Sequence, residues 1–323
     1  MTGGLEGRCS IQLSYGRVAP VSSMRGRAIL RAMTAPGDPL SRALTEALGG
    51  RPQALHGLLA RGSRLPGPRI NEDLAEAFAQ ACRGLGARSD ALALSLARLS
   101  PDQAPGAGPL EFLPVCGLYA LSARAAADAK VRPQIVEELH ARADDPRFRV
   151  RDAVVLGLAR VGAAAGDSLV ADVSSWMDGY FHAAAVLLAL SADVWLTALH
   201  DAGPVVERMD EAFLLVRDAP RSAARWPGHK ALVAALGSAP GLVAARFGVA
   251  VFDMLERWAA TKDPALRGVV ESALGSRNLA GRFGPELERV RAALIASRAP
   301  ARNPDHDFGP SRDRSKSRRR NKR

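Results

Sequence analysis

From residue 39 onward the apolar positions fall at helical spacing. Leu40, Leu44 and Leu48 recur at i, i+4 and i+8, and Leu74, Phe78, Ala81 and Leu85 line a second face. The same 3.6-residue period carries Leu92, Leu96 and Leu99, then Val150, Val154, Leu158 and Val161. Val205, Met209, Phe213 and Val216 form the next stripe, Phe252, Leu255 and Ala259 another, and Leu287, Val290 and Leu294 the last. No stretch of roughly four to eight residues alternates as a half-buried strand does. The pattern predicts an all-α fold.

Start and stop signals agree with the stripes. Asp38 is placed to cap a helix that opens on Pro39, and Asn71 to cap one with Glu72 and Asp73 in its first turn. Ser89-Asp90 reads as a third cap. Gly84, Gly86, Gly162, Gly166, Gly203-Pro204, Pro220, Gly237, Pro240-Gly241, Pro264 and Gly284-Pro285 divide the chain. The helices between them should run about ten to sixteen residues. The long breaker stretch, residues 100–109 (SPDQAPGAGP), predicts an extended loop inside one array, because helices of the same length continue on both sides.

Many short antiparallel helices suggest an internal repeat. Asp263-Pro264-Ala265-Leu266-Arg267, followed by Val270, Ala273 and Leu274, resembles the second helix of a HEAT repeat. Asp145-Pro146, Arg151, Val154, Leu158 and Val161 resemble it too, with Arg149 as a competing register, and Asp178 with His182 makes a weaker third copy. The resemblance implies an α-solenoid of about six antiparallel helix pairs over residues 38–298, in which Asp145, Arg151, Asp263 and Arg267 hold the stack in register. Such an array should unfold nearly as a unit, since a pair cannot bury its apolar face alone.

Composition sharpens this picture. Of the 323 residues 47% are hydrophobic but only 5% aromatic, so the core must be built from Ala, Leu and Val, which suits helices better than strands. The longest apolar run, residues 183–190, is far short of the roughly 18 residues of a membrane span. The formal charge of +11 lies at the ends. Residues 311–323 hold Arg312, Arg314, Lys316, Arg318, Arg319, Arg320, Lys322 and Arg323 against Asp313, a net of +7, and residues 1–32 add +4. The body between them is neutral. Arginine outnumbers lysine 39 to 5, a bias that GC-rich codons produce, and a bacterial genome is expected.

Residues 1–37 carry no apolar period and no signal-peptide core, and are expected to be a disordered extension, with translation starting at Met33 or Met24. A transit peptide is the alternative. Residues 299–323 are too polar to offset their ordering entropy and should form a disordered basic tail.

The search for chemistry returns little. The six histidines have no HxH or HxxxH spacing, so no metal or cofactor is expected and His182 should pack within its helix. Cys82 and Cys116 sit on apolar faces, and three cysteines make no disulfide framework. Glu137-Glu138 and Asp144-Asp145 read as solvated surface or caps. Phosphate-binding glycine loops and nucleophile elbows are absent. Trp176, Trp195, Trp226 and Trp258 lie 19, 31 and 32 residues apart, near the repeat length, and could line one binding face. Together these readings predict a non-catalytic, cytoplasmic scaffold that binds a protein partner. The alternative is nucleic-acid binding through the basic tail and the tryptophans. A more distant alternative resembles the alkylpurine DNA glycosylases, with Asp193 beside Trp195, although the neutral body departs from the basic face of that family.

Overall fold

The computed structural model describes residues 38–276 and 279–298, and among them all regular structure is helical. The helices are α1 (Pro39–Leu48), α2 (Gln53–Gly62), α3 (Glu72–Leu85), α4 (Asp90–Ala97), α5 (Phe112–Ala127), α6 (Arg132–His140), α7 (Phe148–Ala165) and α8 (Ser168–Asp172). They continue as α9 (Tyr180–Leu190), α10 (Asp193–Leu196), α11 (Ala202–Arg217), α12 (Pro227–Leu236), α13 (Ala239–Phe247), α14 (Val249–Ala259), α15 (Pro264–Ala273) and α16 (Gly284–Ala296). Single 3₁₀ turns precede α4, α5, α9 and α12. The predicted extension and basic tail lie outside the described residues.

The expected caps form at two of the three sites. Asp38 accepts a hydrogen bond from the Leu40 amide and Asn71 from that of Leu74. Ser89 instead ends a 3₁₀ turn, where its hydroxyl donates to the Cys82 and Gly86 carbonyls, and Asp90 turns away to Arg124. A guanidinium from a later helix outcompetes the local amides for that carboxylate.

Packing is serial. Helices α3, α5, α7, α9, α12 and α15 lie side by side in that order, and α4, α6, α11 and α14 pack against them. The exception to layering is α5, which is buried from Phe112 to Ala125 and enclosed by α2, α3, α4, α6 and α7. With the 3₁₀ turn before it, this segment (Pro109–Ala127) is 19 residues long and apolar enough to cross a membrane, and 83% of its most apolar stretch is buried in the fold. Pro227–Phe247 meets the same test of length and composition, but it breaks into α12 and α13 around Gly237 and Ser238. Two glycines allow close packing in this part of the fold. A Cβ on Gly117 would strike the Ala97 backbone of α4, and one on Gly162 would overlap the Trp195 indole.

Ion pairs, local and long-range, tie the first half together. Arg147 binds both oxygens of Asp145 and donates to the carbonyls of Leu99, Ser100 and Ala104, closing the 100–109 loop onto α7. Arg98 and Arg142 converge on Glu138, Arg124 pairs with Asp90, and Arg160 pairs with Glu76. Glu138 and Asp145 are therefore buried, not solvated as their sequence context suggested. Their partners are what permit burial of the charge.

Candidate functional site

The N-terminal ends of α5, α7, α9 and α12 lie next to one another and form one rim of the molecule. Each junction is fixed by a named contact. Arg149, in the first turn of α7, pairs with Glu111 at the start of α5 at 2.9 Å and donates to the Gly67 carbonyl at 3.1 Å. Two residues on, Arg151 lies over the Phe181 ring of α9, 4.4 Å from its centroid. Tyr180 then meets Trp226 and His229 at the start of α12, with ring centroids 6.1 and 5.3 Å apart. Gly228 packs under Tyr180 and Phe181, where a Cβ would stand 3.2 Å from each.

Each of these helix ends presents an apolar side chain. Leu110 is 41% exposed, Phe148 51% and Trp226 45%, and Tyr180 and Phe181 are half-buried between them. Helix geometry explains the placement, because side chains lean toward the N-terminus and the first turn has no preceding turn to cover them. Cations back the aromatics. Arg149 stacks on Phe148 at 4.4 Å and Arg151 on Phe181, and the helix ends add partial positive charge.

The rim also holds an unusual carboxyl group. Asp152, one residue beyond Arg151, is half-buried, and loss of water pushes its carboxyl up to about 6, against the pull of Arg151 and Arg149. Glu111 beside it is fully buried, and its Oε1 has no hydrogen-bond partner. Burial also holds the His229 imidazole below its ordinary value. This edge can therefore offer aromatic faces, fixed guanidinium groups and a carboxyl held above the usual carboxylate range by burial.

The four tryptophans are not assembled into a face. Trp176 and Trp195 are buried, with Trp195 seated against Gly162 and donating to the Gly166 carbonyl. Trp258 stacks on Phe213 and donates to Asp210 at 2.7 Å. Trp226 alone among them stands well exposed, because a solenoid-length spacing does not fix which side of each helix a residue occupies. With Trp195 buried, Asp193 has no accessible indole beside it.

The four positions assigned by the repeat resemblance all make local or neighbouring-helix contacts. Asp145 is held by Arg147, and Arg151 donates to the Asp145 carbonyl. Asp263 caps α15 through the Ala265 amide, and Arg267 donates to the Leu294 carbonyl of α16 at 2.8 Å. Residues 312–323 of the basic tail lie outside the described residues. The two described thiols are fully buried, which pushes Cys82 up to about 12 and Cys116 well above its usual range. Neither supplies a thiolate nucleophile at neutral pH.

Sequence reasoning missed Glu111, Phe148, Arg149, Asp152, Tyr180 and Phe181 as a group. They come from three separate helix starts, and their only shared signal is an aromatic or apolar residue at each start.

Fold and rim together define an all-α protein of serially packed helices with an aromatic, cation-backed edge. Comparison with protein families finds no family model that matches the chain, and comparison with curated proteins finds no match.

Proposed function

We propose that the chain is a non-catalytic interaction module, a HEAT-like array of helix pairs that docks a partner protein along the rim from Leu110 to Trp226. One observation carries this reading: exposed apolar residues stand at successive, contacting helix ends. Single exposed hydrophobic side chains need no explanation, whereas a contiguous row with a polar border is the kind of surface that binds. Aromatic and arginine side chains are the residue types that dominate binding energy at such surfaces. The serial packing of α3, α5, α7, α9, α12 and α15 supports the array part of the proposal.

The test is retention of partner protein from nuclease-treated native lysate by three full-length baits. The wild-type chain and Ile295→Ser, an exposed apolar residue away from the rim, should retain the same protein. The double variant Phe148→Ser, Trp226→Ser should lose it. Equal retention by all three baits would refute the rim as the docking surface.

The cation on the rim favours one second reading, a nucleic acid stacked on the aromatics with a phosphate on Arg151. The distinguishing readout is salt dependence, since each phosphate neutralised adds about 0.7–0.9 to the slope of log affinity against log salt. Loss of one such contact in Arg151→Gln at constant fold would support this second reading.

A further inference from the structure

Three side chains beside the rim converge in a way the sequence spacing concealed. His140 is the last residue of α6, Asp178 ends the 3₁₀ turn Ser174–Asp178, and His182 lies in the first turn of α9. His140 Nε2 stands 3.1 Å from Asp178 Oδ2 and 3.3 Å from Oδ1, and His182 Nδ1 stands 3.0 Å from Asp178 Oδ1. The three donor atoms all lie within 4.8 Å of one another. We propose that His140, Asp178 and His182 form a binding site for a divalent transition metal, Zn²⁺ or a close analogue, with an open fourth position toward solvent.

The donor set selects the metal. Two imidazole nitrogens with one carboxylate oxygen suit zinc, cobalt or nickel, whereas calcium and magnesium take oxygen ligands almost exclusively. The separations suit it as well. Ligand atoms on a tetrahedral zinc with bonds of about 2.0–2.1 Å lie about 3.3 Å from one another, close to the nitrogen–oxygen distances found here.

Two further features distinguish the cluster from an ordinary ion pair. His182 Nδ1 is buried and has no hydrogen-bond partner, although a carboxylate oxygen lies 3.0 Å away. Nitrogen and oxygen thus sit beside each other as two ligands do, not in line as donor and acceptor. Gly179 makes the room: a Cβ there would come within 2.5 Å of that same nitrogen. Its extended backbone (φ −153°) is open to any residue, so the requirement is for space and not for conformation.

The site is not closed as it stands. The His140 and His182 rings are stacked, with centroids 4.1 Å apart and planes 18° apart, so their in-plane lone pairs run nearly parallel. One ring must turn for both to address a single ion. His140 is partly exposed at its helix end and can do so, and Asp178 is half-exposed and leaves an entry path. Trp176 packs edge-on against both rings, at 5.1 Å from His140 and 6.4 Å from His182. It will report the movement. The ion would bridge α6 to α9 where Arg151 and Arg267, at the corresponding repeat positions, make their contacts by hydrogen bonding. Histidine in that place offers a lone pair that arginine does not. This inference is independent of the docking rim.

The experiment uses the full-length chain, stripped with chelator and titrated with Zn²⁺ by calorimetry and with Co²⁺ by visible absorption. The expected result is one ion per chain, with Asp178→Asn and His182→Gln each weakening binding by more than about tenfold. His200→Ala, which removes an exposed histidine elsewhere, should leave binding unchanged. Imidazole NMR spectra of the wild type provide a readout free of any folding defect: Zn²⁺ should shift His140 and His182 and leave His56, His200 and His229 in place. Absence of stoichiometric binding, unchanged binding in Asp178→Asn, or shifts spread equally over all histidines would each overturn the assignment.

Discussion

The first half of the chain, residues 38–165, and the last third, residues 201–298, use the same helix lengths to build different interiors. In the first, α5 is enclosed on every side and charge is brought inside with it: the Arg147 side chain is 3% exposed and its partner Asp145 5%. In the second, α11, α14 and α16 pack as a layer over α12 and α15, and the ion pairs lie on the surface, with Arg289 45% exposed against Asp253 at 48%. Arg208, buried among Glu207 and Glu211, is the exception there. The contrast shows that helical period and length do not decide whether a helix becomes a centre or a layer. That depends on whether its polar face is replaced by small apolar residues, as in α5, and on whether partners exist for the charges its neighbours bring in.

The largest effect should come from opening the buried network. Arg147→Ala leaves Asp145 buried and uncompensated and frees the 100–109 loop, and should cost about 3–5 kcal/mol in denaturant unfolding. Asp145 is the acid-sensitive member. Burial alone would raise its carboxyl, but hydrogen bonds from the Arg147 side chain and amide, with the nearby positive charge, hold it below the usual range. Its contribution is therefore present above the unfolded carboxylate range and lost as pH falls through the folded value. A cost below 1 kcal/mol for Arg147→Ala would erase the difference between the two halves.

Next in size is the joint between them. Gly162→Leu drives a side chain into the Trp195 ring and should destabilise by about 3 kcal/mol, with a red-shifted tryptophan emission if Trp195 is expelled.

Asp152 works in the opposite direction. Its carboxyl is raised by burial to about 6, so the folded state holds its proton after the unfolded state has lost it. Stability is then lost as pH rises from about 4 to about 6 and stays reduced above that. Asp152→Asn should raise stability at pH 7 by about 1–3 kcal/mol, and the gain should vanish near pH 4. A thermal midpoint that shifts equally at both pH values would contradict the desolvated carboxyl.

The smallest effect belongs to the exposed pairs. Arg289→Ala, which breaks the contacts to Asp253 and Glu256, should leave the unfolding midpoint almost unchanged, and high salt should remove any residual difference.

Local signals in the sequence marked many of the helices, although no predicted stripe fell on α5. Apolar period, Asp38 and Asn71 as caps, and glycine and proline breaks locate most of them, and the run at residues 183–190 is the buried stretch of α9. Partnerships were hidden. Arg160 reaches Glu76 across 84 residues, and Arg149 reaches Gly67 across 82. A period states which face is buried but not which helix covers it. For the same reason the tryptophan spacing did not produce a face, while the aromatic rim arose from helix starts that share no spacing motif. His140 and Asp178, 38 residues apart, meet only because α6 and α9, the latter preceded by the turn that holds Asp178, both pack against α7.

The central claim is that one enclosed helix anchors a layered array. Native-state hydrogen exchange tests it most directly. Amides of α5 should exchange only through global unfolding, while those of α14–α16 should exchange through an opening of lower free energy, with α5 still protected. That outcome would also replace the single-unit unfolding expected of a uniform repeat array. If both regions exchange with the same free energy and denaturant dependence, the molecule is one uniform array and the distinction between its halves fails.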